Sequence, residues 1–173
     1  MKNISIAEVS TPLGRMIATT SADLLTGLWY PEHVATRFEG PIEQVGRGGA
    51  VMASLQKELQ RYFNGELRQF TVPTAITHSP EALAQLPGTE LQKAVWWQVA
   101  QVGFGELTTY GQIAREIGRP GASRPVGQAV GRNPISIVVG CHRVVGAGGK
   151  ITGYAGGLER KRKLLHIEGH SGY

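Results

Sequence analysis

The sequence predicts an α+β protein: a small antiparallel sheet with a helix in the N-terminal half, then a mostly helical C-terminal half carrying a helix-turn-helix. Three observations lead there. Short β-prone runs broken by Pro and Gly fill the first 30 residues. Apolar residues at helical spacing recur from residue 50 onward. Two short helical segments flank the glycine-containing break GRPGA at residues 118–122. A chain of 173 residues suits one globular domain or two small ones packed together. The expected division is an N-terminal domain over residues 1–85 and a C-terminal domain over residues 86–173.

Each element has a local reason. ISIAEVS, RMIATT and LLTGLWY are β-prone runs, the first two separated by the STPLG turn. A helix is predicted over Ala50–Phe63, where Leu55, Leu59 and Tyr62 or Phe63 share a face, and Asn64-Gly65 is its stop signal. THSPEALAQLPG, residues 77–88, reads as a linker with one short helical turn. Thr89 and Gln92 fit a capping box for a helix whose stripe is Leu91, Val95 and Val99, with Trp96 and Trp97 as core aromatics. Tyr110–Ile117 is the first helix of the helix-turn-helix. Ser123 is expected to cap the second, which runs to Gly131 and tolerates Pro125 in its first turn. ISIVVG, residues 135–140, is an apolar run of strand type, and GLERKRKLLHIEGH is an amphipathic helix with a basic face.

Composition narrows the function classes. Hydrophobic residues are 41% and charged residues 18%, the balance of a folded rather than a disordered chain. Lys and Arg number 18 against 13 Asp and Glu, and the pI is about 9.6, which favours a polyanionic partner. No apolar run reaches the ~18 residues that a membrane span needs. The opening MKNISIAEVS lacks the apolar core and cleavage site of a signal peptide. One cysteine makes neither an internal disulfide nor a multi-thiolate zinc site. The expectation is a cytoplasmic protein with no cofactor and no metal, in which His33 and His78 are surface residues.

The lone thiol has a distinctive setting. IVVGCHRVVG places Cys141 after an apolar run and directly before His142 and Arg143. A lone cysteine in an apolar run is most often an inert core residue. A nucleophilic one needs a base, because an isolated thiol is only a few per cent ionised at neutral pH. His142 can be that base, directly or through a water, and Glu168 can orient it. Successive strand residues point to opposite faces, so Cys141 and His142 must lie on a turn to cooperate.

The order of the motifs is more specific than any one of them. Tyr110, RPVG at 124–127, Asn133-Pro134, CHRV at 141–144, GYAGG at 153–157 and Glu168-Gly169 follow one another along the chain. This series closely resembles the O6-alkylguanine-DNA alkyltransferases, also called methylated-DNA–protein-cysteine methyltransferases. The resemblance is strong over residues 88–170. It extends in style to the STPLG turn and RYFNGEL in the first half.

The resemblance implies a DNA-repair protein that acts once, as a monomer, on double-stranded DNA containing O6-alkylguanine, with O4-alkylthymine as a second candidate substrate. It implies that Cys141 takes the alkyl group irreversibly, that His142 and Glu168 activate it, and that Asn133 holds the site by hydrogen bonds. The damaged nucleotide is flipped out of the duplex. Arg124 would enter the vacated space, and Tyr110 would donate to the flipped base or steady the departing guanine. Ser123 and Gly127 would belong to the same DNA-binding helix. Main-chain groups at Cys141 and Val144 would read the guanine edge, while Tyr154 and Ala155 would cover the alkyl group. Arg119 and Arg132 stand either as phosphate contacts or as solvated side chains. The family docks this motif in the minor groove.

The chemistry supports this on its own terms. Attack on an sp3 carbon needs a thiolate and a departing guanine stabilised by a donor such as Tyr110. GYAGG by itself reads as a surface turn, although its glycines would also let backbone lie close to a flat base. The chain departs from the family pattern at Gly140, where proline is usual. Lost stiffness there predicts slower transfer than in Gly140→Pro. Pro125 stands where alanine is commoner, a benign change. Three other readings compete: a damage-binding protein with impaired transfer, a transcriptional regulator and a thiol hydrolase. The first would have lost its cysteine, the second needs a sensing or dimer domain, and the third needs an oxyanion hole.

Overall fold

Residues 4–33 and 49–173 are described by the structure, a computed structural model. The three N-terminal runs form the predicted antiparallel sheet: β1 (Ile4–Thr11) pairs with β2 (Gly14–Ser21), and β2 with β3 (Leu24–Trp29). The STPLG turn is tied by Thr11 Oγ1 donating to the Gly14 carbonyl at 2.7 Å. Val9, Met16, Ala18, Leu25 and Leu28 are buried, as are Val51, Met52, Leu55, Leu59 and Tyr62 of α1 (Gly49–Phe63). Each large apolar side chain so buried contributes about 1.5–3 kcal/mol. Gly65, at φ +75°, ends α1 as predicted, with Glu66 N donating to Arg61 O at 2.8 Å. Residues 34–48 and the side chain of His33 lie outside the described residues.

The linker contains one short helix, α2 (Pro80–Ala84), capped by Ser79. The predicted capping box opens α3 (Glu90–Ala100): Thr89 Oγ1 accepts from Gln92 N at 3.2 Å, and Gln92 Oε1 accepts from Thr89 N at 2.9 Å. Trp96 is buried and donates to the Ala129 carbonyl at 2.9 Å. Trp97 is 43% exposed, against expectation, because it lies one helical step off the Val95–Val99 stripe. The helix-turn-helix consists of α4 (Tyr110–Glu116) and α5 (Ser123–Gly131). Ser123 is the first residue of α5 rather than its cap. Val126 N donates to Ala122 O, so the helix starts one residue earlier and has no side-chain cap.

ISIVVG is not a strand. Ile135 makes a single bridge to Leu28, with Leu28 N donating to Pro134 O and Ser136 N to Leu28 O, each at 2.8 Å. The chain then turns at Ile137, which has φ +69°, and Val138 N donates to Ser136 O at 2.8 Å. That is a γ-turn, a strained geometry for a β-branched residue. Partners within the segment replace a sheet neighbour. Asn133 Nδ2 donates to Val139 O at 3.0 Å and to Ile135 O at 3.3 Å, and its Oδ1 accepts from Ile135 N at 3.1 Å. The bridge to β3 ties the sheet to the segment that delivers Cys141.

Beyond Cys141, β5 (Val144–Val145) pairs in parallel with β4 (Thr108–Thr109). The last helix is α6 (Leu158–Ile167). Arg162 and Lys163 lie on its exposed side, but Lys161 is fully buried, so the basic face is narrower than its sequence suggests. Among the described residues no helix is long and apolar enough to cross a membrane.

Candidate active site

Cys141, His142 and Arg143 form one turn of 3-10 helix, which is the turn the thiol and imidazole require. Cys141 is 4% exposed, and its N–H donates to Val139 O at 2.7 Å. His142 and Glu168 side chains are completely buried and meet at 2.8 Å, Nε2 to Oε1. Glu168 is placed by the end of α6. Gly169 adopts φ +94°, a conformation open to glycine, and His170 N donates to Leu165 O at 2.9 Å. This terminus fixes Glu168 one residue past the helix, turned inward.

Glu168 takes more donors than the sequence foretold. Arg143 Nε donates to Oε2 at 2.9 Å and Nη2 to Oε1 at 3.0 Å. The Tyr62 hydroxyl donates to Oε1 at 2.8 Å, and Gly105 N to Oε2 at 3.1 Å. Arg143 was signalled only by its place in CHRV. Tyr62 and Gly105 carried no signal, since they lie 106 and 63 residues from Glu168 in the chain.

The protonation states follow from this geometry. Burial pushes the Glu168 carboxyl up, but the bonds from His142 and Arg143 outweigh it and hold the carboxyl well below the usual range. Burial lowers His142 despite the opposing Glu168 carboxylate, so the imidazole is neutral at pH 7. A carboxylate only accepts, so Nε2 carries the imidazole proton and Nδ1 keeps its lone pair. Nδ1 is buried and makes no hydrogen bond to any described protein group. It is the basic atom next to the thiol-bearing residue. Burial and the Glu168 charge together raise Tyr62, keeping its phenol a proton donor.

Gly140 has φ −71°, which proline also adopts. A Cβ there would fall 2.7 Å from Arg143 Cδ and 2.8 Å from Arg143 Nε. The guanidinium occupies the space that a larger residue would fill, and it is pinned by Glu168. The expectation of faster transfer in Gly140→Pro therefore reverses. The variant is expected to transfer more slowly by about tenfold, the effect of ~1.4 kcal/mol on the barrier. Single-turnover rates of the two proteins check this, and a faster variant would restore the original expectation.

The other predicted residues divide into two groups. Asn133 braces the turn before Cys141, inside the core. Tyr110 is half-buried at the start of α4, its hydroxyl accepting from Thr152 Oγ1 at 3.1 Å, and a Cβ added at Gly127 of α5 would lie 3.6 Å from its ring. Val144 is buried. Its N–H is spent on Cys141 O, and its carbonyl accepts from Lys161 Nζ at 2.5 Å with one lone pair left over. Tyr154 and Ala155 are half-exposed, but the Tyr154 hydroxyl is buried, and burial then the Cys141 charge raise it. Ser123, Arg124, Arg119 and Arg132 are exposed on and around α5, while His78 is exposed far along the linker. Among the described residues no three His, Cys, Asp or Glu side chains cluster as metal ligands.

A family sequence model described as 6-O-methylguanine DNA methyltransferase, DNA binding domain, matches residues 90–170. A methylated-DNA–protein-cysteine methyltransferase of Methanosarcina acetivorans is 52% identical over 113 residues, covering 65% of this chain and 66% of that protein. The protein of the same description from Mycobacterium leprae is 38% identical over 167 residues, covering 96% of this chain and 93% of its own. Among solved structures, Mycobacterium tuberculosis OGT in complex with DNA matches with a TM-score of 0.79 and 38% identity, over 95% of this chain and 92% of that one. Likeness at this level over nearly the whole of both chains, around a buried Cys-His-Glu arrangement, makes the chain a member of the methylated-DNA–protein-cysteine methyltransferase family.

Proposed function

We propose that Cys141 is the alkyl acceptor of this chain and that the group comes from O6 of a guanine flipped out of double-stranded DNA. The observation that carries the reading is the hydrogen-bonded line from Glu168 to His142, with the free lone pair of Nδ1 beside the thiol-bearing residue. His142 takes the thiol proton, directly or through a water, and the imidazolium is stabilised by Glu168. The thiolate attacks the alkyl carbon: the S–C bond forms, the C–O6 bond breaks, and the electron pair stays on the guanine. The Tyr110 hydroxyl donates toward the departing base, and Cys141 is left as a thioether. No step restores the thiol, so each molecule works once.

The exposed face of α5 is the proposed DNA-facing surface, with Arg124 filling the gap left by the flipped nucleotide. Ser123 and Gly127 flank it, Asn133 holds the approach to the thiol, and Tyr154, Ala155 and the free lone pair of the Val144 carbonyl border the base. Binding through phosphates makes affinity salt-dependent. A monomer acting in the cytoplasm, with residues 1–85 as scaffold and 86–173 as the reactive domain, completes the proposal.

Intact-protein mass spectrometry after incubation with an O6-methylguanine duplex tests it, with Cys141→Ala in parallel. The expected result is one added methylene (~14 Da) on the wild type alone, mapped to Cys141. No gain, with duplex binding intact, would leave a damage-binding protein instead.

The transfer rate should also report His142. Its pKa lies below the ordinary 6.5, so the neutral base persists as pH falls to about 6.5 and is lost only below that. The expected profile is flat from pH 8 to 6.5 and falls in more acid solution. A midpoint above 6.5 in single-turnover rates would contradict a neutral, buried base.

A further inference from the structure

The proposed reading leaves the size of the transferred group open, and Tyr30 bears on it. Tyr30 directly follows β3 and is 1% exposed, and its ring reaches the 153–157 loop, which the proposed function sets over the alkyl group. A Cβ on Gly156 would fall 2.6 Å from Tyr30 Cε2 and 2.7 Å from Tyr154 Cε1. The backbone at Gly156 is therefore wedged between two tyrosine rings, and only glycine leaves room for both.

Tyr30 is itself held from behind. The Arg160 guanidinium sits 3.8 Å from its ring centroid, a cation–π contact. The same guanidinium donates to Gly156 O at 3.1 Å and to Leu13 O at 3.1 Å, and it pairs with Glu32. One side chain from α6 thus clamps the β1–β2 turn, the aromatic ring and the acceptor loop together. Burial, opposed by the Arg160 charge and aided by the Cys141 charge, raises the Tyr30 phenol to about 12. Tyr154 also responds to Cys141. Both phenols thus lie within electrostatic range of the thiol, and both stay neutral at working pH.

We propose that Tyr30, pinned by Arg160, is a specificity-determining positioning residue that fixes the depth of the alkyl pocket by backing the Gly156 segment of the 153–157 loop. A methyl group fits without moving the loop. A larger group needs the loop to retreat, and retreat is blocked by a ring that cannot shift without breaking the Arg160 contacts. The inference rests on Cys141 as the acceptor.

The test compares single-turnover rates for O6-methylguanine and O6-benzylguanine in the same duplex, for wild type, Tyr30→Phe and Tyr30→Leu. Tyr30→Phe keeps the ring and should keep the wild-type ratio of benzyl to methyl rate. Tyr30→Leu should raise that ratio by about tenfold, the scale on which pocket volume discriminates alkyl groups. Arg160→Met, which keeps a long stem but frees the ring, should shift the ratio the same way and serves if Tyr30→Leu fails to fold. Both rates falling together, or neither moving, overturns the inference while leaving the acceptor assignment standing. A wild type that transfers no group at all overturns the acceptor assignment and this inference with it.

Discussion

Glu168→Gln is expected to slow alkyl transfer at pH 7 by about two to three orders of magnitude, the usual worth of general-base assistance. The carboxylate is the shared acceptor for His142, Arg143, Tyr62 and Gly105. Glutamine keeps the shape but not the charge. It cannot stabilise the imidazolium that forms when Nδ1 takes the thiol proton, and its amide nitrogen would face donors. The variant also strands Arg143, whose side chain is 7% exposed, without its counterion. Removing one partner of a buried pair costs about 3–5 kcal/mol. Rates are therefore compared at a temperature where circular dichroism shows both proteins folded. A rate within threefold of wild type would remove Glu168 from the mechanism.

The same group predicts acid behaviour. The folded pKa of Glu168 is depressed, so its contribution to stability is present above the ordinary carboxylate value of 4.5 and is lost as pH falls from there through the folded value. His142, lowered by burial, adds in the same direction. Below 6.5 the unfolded chain takes up a proton that the buried imidazole resists.

Lys161→Met is expected to produce the largest loss of stability outside this cluster. Lys161 is fully buried and donates to Val144 O at 2.5 Å, Thr152 O at 2.9 Å and Gly153 O at 3.5 Å. Methionine fills a similar volume but has no donor. The Val144 carbonyl is buried and, left unsatisfied, costs about 1–3 kcal/mol, whereas Thr152 and Gly153 are exposed and their carbonyls can turn to water. A total near 3 kcal/mol lowers the melting temperature by about 6–12 °C for a chain of this size. The damage is local: β5 and the start of the acceptor loop lose their common anchor, so transfer should slow as well. Burial pulls the ammonium down to about 8 from an ordinary 10.5, although the Cys141 charge favours it. Between those values the unfolded chain holds more protons, so the stability advantage of wild type over Lys161→Met should widen from pH 8 to 9.5. Thermal melts across that range check both claims, and equal melting temperatures would refute them.

Local rules were sufficient for much of the molecule. Alternation and turn chemistry mark β1, β2 and β3, the Thr89–Gln92 box starts α3, and Asn64-Gly65 stops α1. Each depends on residues within about four positions, which is why it can be read along the chain. Cys141, His142 and Glu168 stood out in the sequence as a candidate nucleophile, base and orienting carboxylate because those residue types belong together, and the ordered series RPVG, NP, CHRV, GYAGG and EG gave them a family resemblance; the fold buries all three and joins His142 to Glu168.

Tertiary structure alone decided what depended on distant partners. ISIVVG has strand propensity, yet Asn133 and the chain's own carbonyls satisfy its backbone, and a γ-turn at Ile137 replaces a ladder. Lys161 reads as one basic residue among several, and only the fold turns it inward onto three carbonyls. Gly140 reads as lost stiffness, whereas the fold uses its missing Cβ to admit Arg143. Tyr62 and Tyr30, both from the first half, reach Glu168 and Gly156 across the packed core. Burial and long-range hydrogen bonding have no period in sequence. Residue types and near-neighbour spacing therefore determined most of the elements and singled out the candidate thiol, while long-range packing settled which charges are buried, which donors converge on Glu168 and how the 153–157 loop is backed.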